Sequence, residues 1–169
     1  MAEPSKLTVF GSGGHGRLYP ELAEELRAAL IERFNTNARS YFPGVMGFRV
    51  VDARQGYARL ATESTTAHSN PHGVMHGGAS FGLADTAVAA ALFTIYGAGS
   101  LLLTIEMKIN YLEPIPPGEV VAEAYVLRSS RKSAYAEVDL WAAGKLAARA
   151  STTYMIKPLP NGSQRGAAS

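Results

Sequence analysis

Asn70, His76, Gly77, Gly78 and Asp85 are the residues whose types and spacing could do chemistry. Gly77 and Gly78 open a segment, Gly77–Tyr96, that is apolar on nearly every side and reads as a buried helix. The first turn of a helix carries unpaired amide hydrogens and the positive end of the dipole. A glycine there lets a substrate oxygen come close to the backbone, as oxyanion stabilisation requires. Asp85 lies deeper in the same segment. A carboxylate in such surroundings costs several kcal/mol of desolvation unless it has partners or faces a cleft. Positions 81, 82, 88 and 89 are Phe, Gly, Val and Ala, so its own helix offers no ion-pair partner. That leaves a general base or nucleophile as the functional reading and a hydrogen-bonded structural carboxylate as the plain one. Gly77 and Asp85 are about 12 Å apart along a helix axis, at 1.5 Å per residue. Reacting atoms must come within about 3.5 Å. Two antiparallel copies of the helix about a two-fold axis would place Gly77 of one beside Asp85 of the other, giving two equivalent sites in a homodimer.

The elements that must position these residues follow from periodicity. Residues 20–40 have apolar positions three and four apart, with Pro20 and three glutamates at the start, and predict an amphipathic helix. Residues 46–52 and 57–62 read as strands around a Gln55-Gly56 turn, and 63–76 as a loop. After the buried helix, Leu103, Ile105, Met107, Ile109 and Tyr111 alternate with Thr104, Glu106, Lys108 and Asn110, a strand with its apolar side on the first set. Residues 120–127, 134–141 and 146–156 continue as strands, the last two joined by a tight turn at 142–145. Short links between consecutive strands imply an antiparallel sheet, and an apolar helix wrapped by it satisfies both patterns. The expected fold is α+β: about six antiparallel strands around a central helix, with an extra N-terminal helix. One domain over 20–156 is expected, between flexible segments at 1–19 and 157–169.

Composition removes several classes of function. The chain has 169 residues, 47% of them hydrophobic, and 16 basic against 14 acidic side chains. Such a balance does not suit a general nucleic-acid binder. Cysteine is absent, which excludes disulfides, thiolate metal ligands and a thiol nucleophile. The start of the chain lacks the pattern of a secretory signal, so a cytoplasmic location is the expectation. Hydroxyls and glycines early in the 77–96 segment, together with Asp85, favour a core helix over a membrane span.

The stretch from about 44 to 156 resembles the hot-dog fold acyl-CoA thioesterases, in particular the phenylacetate-pathway type. The resemblance rests on Asn70, on His76-Gly77-Gly78, on Leu83-Ala84-Asp85, on the run from Glu106 to Pro114 and on the step from Gly144 to Ala147. It implies a hot-dog fold and hydrolysis of a small aryl- or medium-chain acyl-CoA, with no cofactor beyond the coenzyme A of the substrate. By the same resemblance Asp85 activates water or attacks the thioester carbonyl, and the Gly77 N–H polarises it. Asn70 helps place water or carbonyl, His76 supports the loop, Gly78 joins the substrate-binding turn and Thr104 lies near the attacking water. The carboxylate comes from the opposite subunit to the glycine, in a homodimer or a dimer of dimers.

Across 128–149 five basic residues stand against two acidic ones, and Arg128, Ser130, Arg131 and Lys132 form a candidate seat for the phosphates of coenzyme A. Other patterns carry less. Gly11-Ser-Gly-Gly-His-Gly16 matches a dinucleotide fingerprint without the βαβ unit it needs. His68, His72 and His76 are spaced by four, but Pro71 and Gly73 interrupt any helix, so no metal is expected. Tyr41-Phe-Pro-Gly44 is similar to the H-F-P-G signature of hot-dog dehydratases, with Tyr where those have His. A lyase acting on thioesters and a non-catalytic acyl-binding domain are therefore the alternatives to hydrolysis.

Overall fold

The computed structural model describes residues 19–159. The glycine run at 11–16 lies outside these residues, as do the expected flexible termini apart from Tyr19 and 157–159. Helix α1 spans Glu24–Ala38 and a one-turn helix α2 spans Phe42–Val45. Strands β1 (Arg49–Arg54) and β2 (Tyr57–Ser64) follow, then helix α3 (Gly77–Tyr96). Strands β3 (Ser100–Tyr111), β4 (Gly118–Ser129), β5 (Ser133–Ala142) and β6 (Lys145–Pro158) complete the fold. The six strands form one antiparallel sheet in the order β1-β2-β4-β5-β6-β3.

α3 lies against the inner face of this sheet. Leu83, Ala84, Ala87, Val88, Ala91 and Leu92 of the helix are fully buried. Opposite them lie the inward positions of β4 and β5, Val120, Ala122 and Ala124, then Val138 and Leu140; the other face of β4 is buried as well. The many alanines bring helix and sheet close together. Gly97, at φ 64°, ends α3, and its N–H returns to the Phe93 carbonyl at 2.9 Å.

Two expectations need correction. α1 starts at Glu24, not at residue 20. The Pro20 carbonyl accepts from the Gln55 N–H at 3.0 Å, which ties that segment to the β1–β2 turn. The helix begins only where Ala23 accepts from Arg27 at 2.9 Å, with Glu24 and Glu25 in its first turn. Asn35 then clamps α1 to β1, its amide bonding both the N–H (2.8 Å) and the C=O (3.0 Å) of Val50.

The second correction concerns β3. Its alternation is not continuous, because the pairing with β6 slips between Thr104 and Glu106 and leaves Ile105 as a bulge. One extra residue exchanges the two faces of a strand. Met107, Ile109 and Tyr111 lie on the helix side, as expected. Before the bulge that side carries Leu102 and Thr104 instead of Leu103 and Ile105, which are exposed. The slip turns the Thr104 hydroxyl towards α3.

Candidate active site

His76 caps α3. Its Nδ1 accepts from the Gly78 N–H at 2.9 Å, so the other ring nitrogen carries the proton. Its own N–H is held by the His68 carbonyl at 2.7 Å. The Gly77 N–H has no acceptor among the described residues, and it stands at the positive end of a 20-residue helix. The Gly77 carbonyl accepts from the Tyr111 hydroxyl at 2.8 Å. A Cβ on Gly77 would meet that oxygen at 3.1 Å, so any larger residue here must push the Tyr111 ring aside.

Asp85 is half-buried, two turns along the same helix. Thr104 Oγ1 donates to its Oδ1 at 2.7 Å, and Tyr154 Oη donates to the same atom at 2.5 Å. Tyr154 is almost fully buried, also bonds the Asp85 carbonyl at 3.0 Å, and has its phenol pushed far above its ordinary pKa, first by burial and then by the Asp85 charge. It therefore acts as a fixed donor. Both bonds fall on Oδ1. Among the described residues, Oδ2 accepts none and no cation pairs with the carboxylate. An oriented carboxylate with one free oxygen is what a water-activating base or a nucleophile requires.

A cleft of about 410 Å³ opens beside Gly77, lined also by Met75, Ser80, Tyr111, Leu112 and Ile115. It is largely apolar, with Gly77 in its wall.

A family model described as "Thioesterase superfamily" matches residues 72–148. Acyl-coenzyme A thioesterase 13 of Homo sapiens is 34% identical over 123 residues, 70% of this chain and 86% of that protein. A relative from Archaeoglobus fulgidus is 37% identical over 87 residues, and the chain spans only about half of it, 54%. This chain belongs to the thioesterase superfamily. Among solved structures, a variant of the phenylacetic acid degradation protein PaaI from Thermus thermophilus is similar at 30% identity, with a TM-score of 0.63 over 68% of this chain and 96% of that one. A Haemophilus influenzae thioesterase, 19% identical with a TM-score of 0.74 over 88% of this chain, shows the same fold. The protein is a thioester hydrolase with the hot-dog architecture.

Within this thioesterase the residues singled out from sequence divide into groups. Thr104 and Asp85 are in direct contact, and His76, Gly77 and Gly78 form one helix start. Asn70 folds back on its own loop: its Oδ1 accepts from the His72 N–H at 2.9 Å and its carbonyl from the Gly73 N–H at 3.0 Å, so only its amide NH₂ is left to reach outwards. Arg128, Arg131 and Lys132 are exposed at the β4–β5 hairpin, at the far end of α3. Ser130 builds that hairpin, its Oγ bonding Ser133 and the Lys132 N–H, while Tyr96 Oη donates to its carbonyl at 2.8 Å. His68 is a structural residue. Its Nδ1 accepts from the Thr65 N–H at 3.1 Å and its Nε2 bonds the Met46 carbonyl at 2.9 Å. Sequence reasoning missed Tyr154. The signal was present: in the inward series 148, 150, 152, 154, 156 the hydroxyls of Thr152 and Tyr154 must each find a partner; Thr152 takes the Glu106 carbonyl and Tyr154 takes Asp85. Tyr111 was placed on the correct face but given no role.

Proposed function

We propose that this thioesterase hydrolyses acyl-CoA at sites shared between two protomers. The observation that carries the reading is the Asp85 carboxylate, fixed through Oδ1 by Thr104 and Tyr154 and open at Oδ2, on the same helix as the available amide of Gly77. Within one chain the two are about 12 Å apart along α3 and cannot act on one carbonyl. In an antiparallel pair of helices they meet. A second feature supports pairing. β3 is an edge strand twelve residues long, with Leu101, Leu103, Ile105 and Tyr111 exposed on or beside it. Such an edge is a template for another strand, here a second β3.

In this reading the Gly77 N–H of one protomer hydrogen-bonds the thioester carbonyl oxygen and gains strength as that oxygen becomes negative. Asp85 of the other protomer takes a proton from water, whose oxygen attacks the carbonyl carbon. The C–S bond breaks, and the proton taken up by Asp85 passes to the leaving thiolate. The Asn70 amide orients the water or the carbonyl, and His76 and Gly78 hold the helix start. Arg128, Arg131 and Lys132 receive the phosphates of coenzyme A, and the cleft beside Gly77 accommodates part of the substrate. No cofactor is required, and a small aryl or medium-chain acyl group in the cytoplasm is the substrate setting we favour. The alanine-rich α3 is long and apolar enough to cross a membrane, but it is the core helix of this fold.

The test is thiol release from a panel of acyl-CoAs by the wild type, by Asp85→Ala and by Asn70→Ala. Both variants are expected to be nearly inactive. After subunit exchange their equimolar mixture should recover about a quarter of wild-type activity, because half the dimers then hold one intact site. A mixture that exchanges and stays inactive sinks the shared site. Wild-type protein that releases no thiol from any member of the panel sinks the substrate.

A further inference from the structure

Phe81 is the one bulky side chain on the outward side of the first turns of α3. It shares that side with Gly78 and Asp85, three residues before it and four after it. It is 36% exposed, and a phenylalanine left in water forgoes much of its burial energy. Its neighbour Gly82 has no side chain because the Phe42 ring rests there: a Cβ would lie 2.7 Å from it. The exposed ring thus stands beside a close contact between Gly82 and the Phe42 ring.

Its position along the helix carries the argument. In two antiparallel helices related by a two-fold axis, the residues that face each other lie at equal distances on either side of the axis. If Gly77 of one protomer faces Asp85 of the other, the axis passes midway between these positions, and the midway residue is Phe81. The sheet layer is compatible with this axis. β3 runs antiparallel to α3, pinned at one end by Thr104 on Asp85 and at the other by Tyr111 on Gly77. Midway between Thr104 and Tyr111 lies the Met107–Lys108 step. A two-fold axis there lets residues 104–111 of the exposed β3 edge pair with the same residues of a second copy. Helix and strand are compatible with one axis.

We infer that the Phe81 rings of two protomers meet on this axis and form the partition that closes the acyl end of both sites, so that Phe81 sets the length of acyl group accepted. The inference rests on the shared-site dimer proposed above. The direction of the substrate follows from size and charge. From Asp85 outwards, α3 continues about 16 Å to Tyr96, whose hydroxyl bonds the hairpin that bears Arg131 and Lys132. From Asp85 inwards, Phe81 is only about 6 Å away along the helix. In the outward direction a charged nucleotide meets the exposed Arg131 and Lys132. The acyl group therefore points inwards and ends against Phe81.

Two measurements test this. The chain has no cysteine, so Phe81→Cys introduces a single thiol. A short bis-maleimide is expected to link most of the Phe81→Cys protein into covalent dimers and to leave an Ala98→Cys control, beyond the far end of α3, monomeric on denaturing gels. Equal linking of the two overturns the axis. In the second, kcat/KM is compared for butyryl-, octanoyl-, lauroyl- and phenylacetyl-CoA. Phe81→Ala is expected to raise the lauroyl-to-butyryl ratio at least about tenfold, since each methylene that finds room contributes about 0.8 kcal/mol, and Phe81→Trp to lower it. Ratios unchanged within about twofold in both variants overturn the specificity role. If Phe81→Ala loosens the dimer in sedimentation, Phe81→Leu serves in its place. Failure of the wild type on every acyl-CoA sinks the proposed function and not the axis, which the cross-link reads without any substrate.

Discussion

Among the described residues two carboxylates are held by tyrosine hydroxyls, and they face opposite sides of the same sheet. Glu123, on the outer face of β4, is 1% exposed. It accepts from Tyr57 at 2.8 Å and Tyr125 at 3.2 Å and lies 3.4 Å from the Arg59 guanidinium. Its neighbour across the strand pair, Asp139, is gripped by Arg149 at 2.6 and 2.9 Å. Both oxygens of Glu123 are engaged and its charge is matched. Asp85, on the helix side, receives two donors on a single oxygen, has no cation among the described residues and is half open. The difference separates a carboxylate that is part of the scaffold from one that can act. Enclosure and charge neutralisation remove Glu123 from chemistry. One-sided hydrogen bonding orients Asp85 without using it up.

The sharpest way to break this comparison is to exchange the expected losses. Asp85→Asn keeps the shape of the side chain and removes its basicity. It should lower kcat by about 10²- to 10⁴-fold, the usual scale of a general base, with little change in melting temperature. Glu123→Gln should do the reverse. It takes away the charge that lies 3.4 Å from the buried Arg59 guanidinium, at a cost of about 3–5 kcal/mol in denaturant unfolding, while activity per folded molecule stays near that of the wild type. An Asp85→Asn protein with near-normal turnover, or a Glu123→Gln protein that is stable but inactive, would reverse the assignment.

Alkaline pH sharpens the contrast. The Tyr57 and Tyr125 phenols are both pushed well above their ordinary value of 10.0, chiefly by burial and next by the Glu123 charge. In the unfolded chain they ionise at about pH 10, and in the native protein they resist. The stability they confer is fully present below pH 10 and is lost progressively above it, because the unfolded state then releases protons that the native state keeps. Tyr154 behaves in the same way on the Asp85 side. Unfolding free energy measured from pH 9 to 11 should fall, and Tyr57→Phe should take up to one proton off that slope. A slope identical to that of the wild type would mean that the Tyr57 phenol ionises freely in the folded protein.

The same contrast explains what the sequence reveals. α3 is legible to its end residues because a long apolar run opening on two glycines has few other outcomes, and Asp85 stands out because a charge within that run is conspicuous. Glu123 does not stand out. In a strand, alternate residues are expected to be polar, so a buried carboxylate at an outward position looks like any solvated one. The bulge at Ile105 is equally hidden, since an unbroken apolar-polar alternation carries no mark of the one place where the chain inserts an extra residue. It decides which side Thr104 faces, so the resemblance gives Thr104 its place near the water where periodicity alone points it away. The start of α1 is misread because Pro20 suits a helix start, but the tertiary contact with Gln55 claims its carbonyl.

The smallest expected effect lies at Gly77. Its Cβ position is 3.1 Å from the Tyr111 hydroxyl, tighter than ordinary contact but at the far end of a side chain that can give way. Tyr111→Phe removes a neutral hydrogen bond worth about 1 kcal/mol and should lower kcat/KM less than tenfold. Gly77→Ala pushes the phenol outwards and breaks the same bond, so alone it should cost slightly more. In the double variant the hydroxyl is gone before the methyl group arrives. Residues that share one contact are not additive, and the loss for the pair should fall short of the product of the two single losses. Strict multiplicativity would show that the alanine acts by blocking the approach of substrate to the amide, and that Tyr111 only packs beside it.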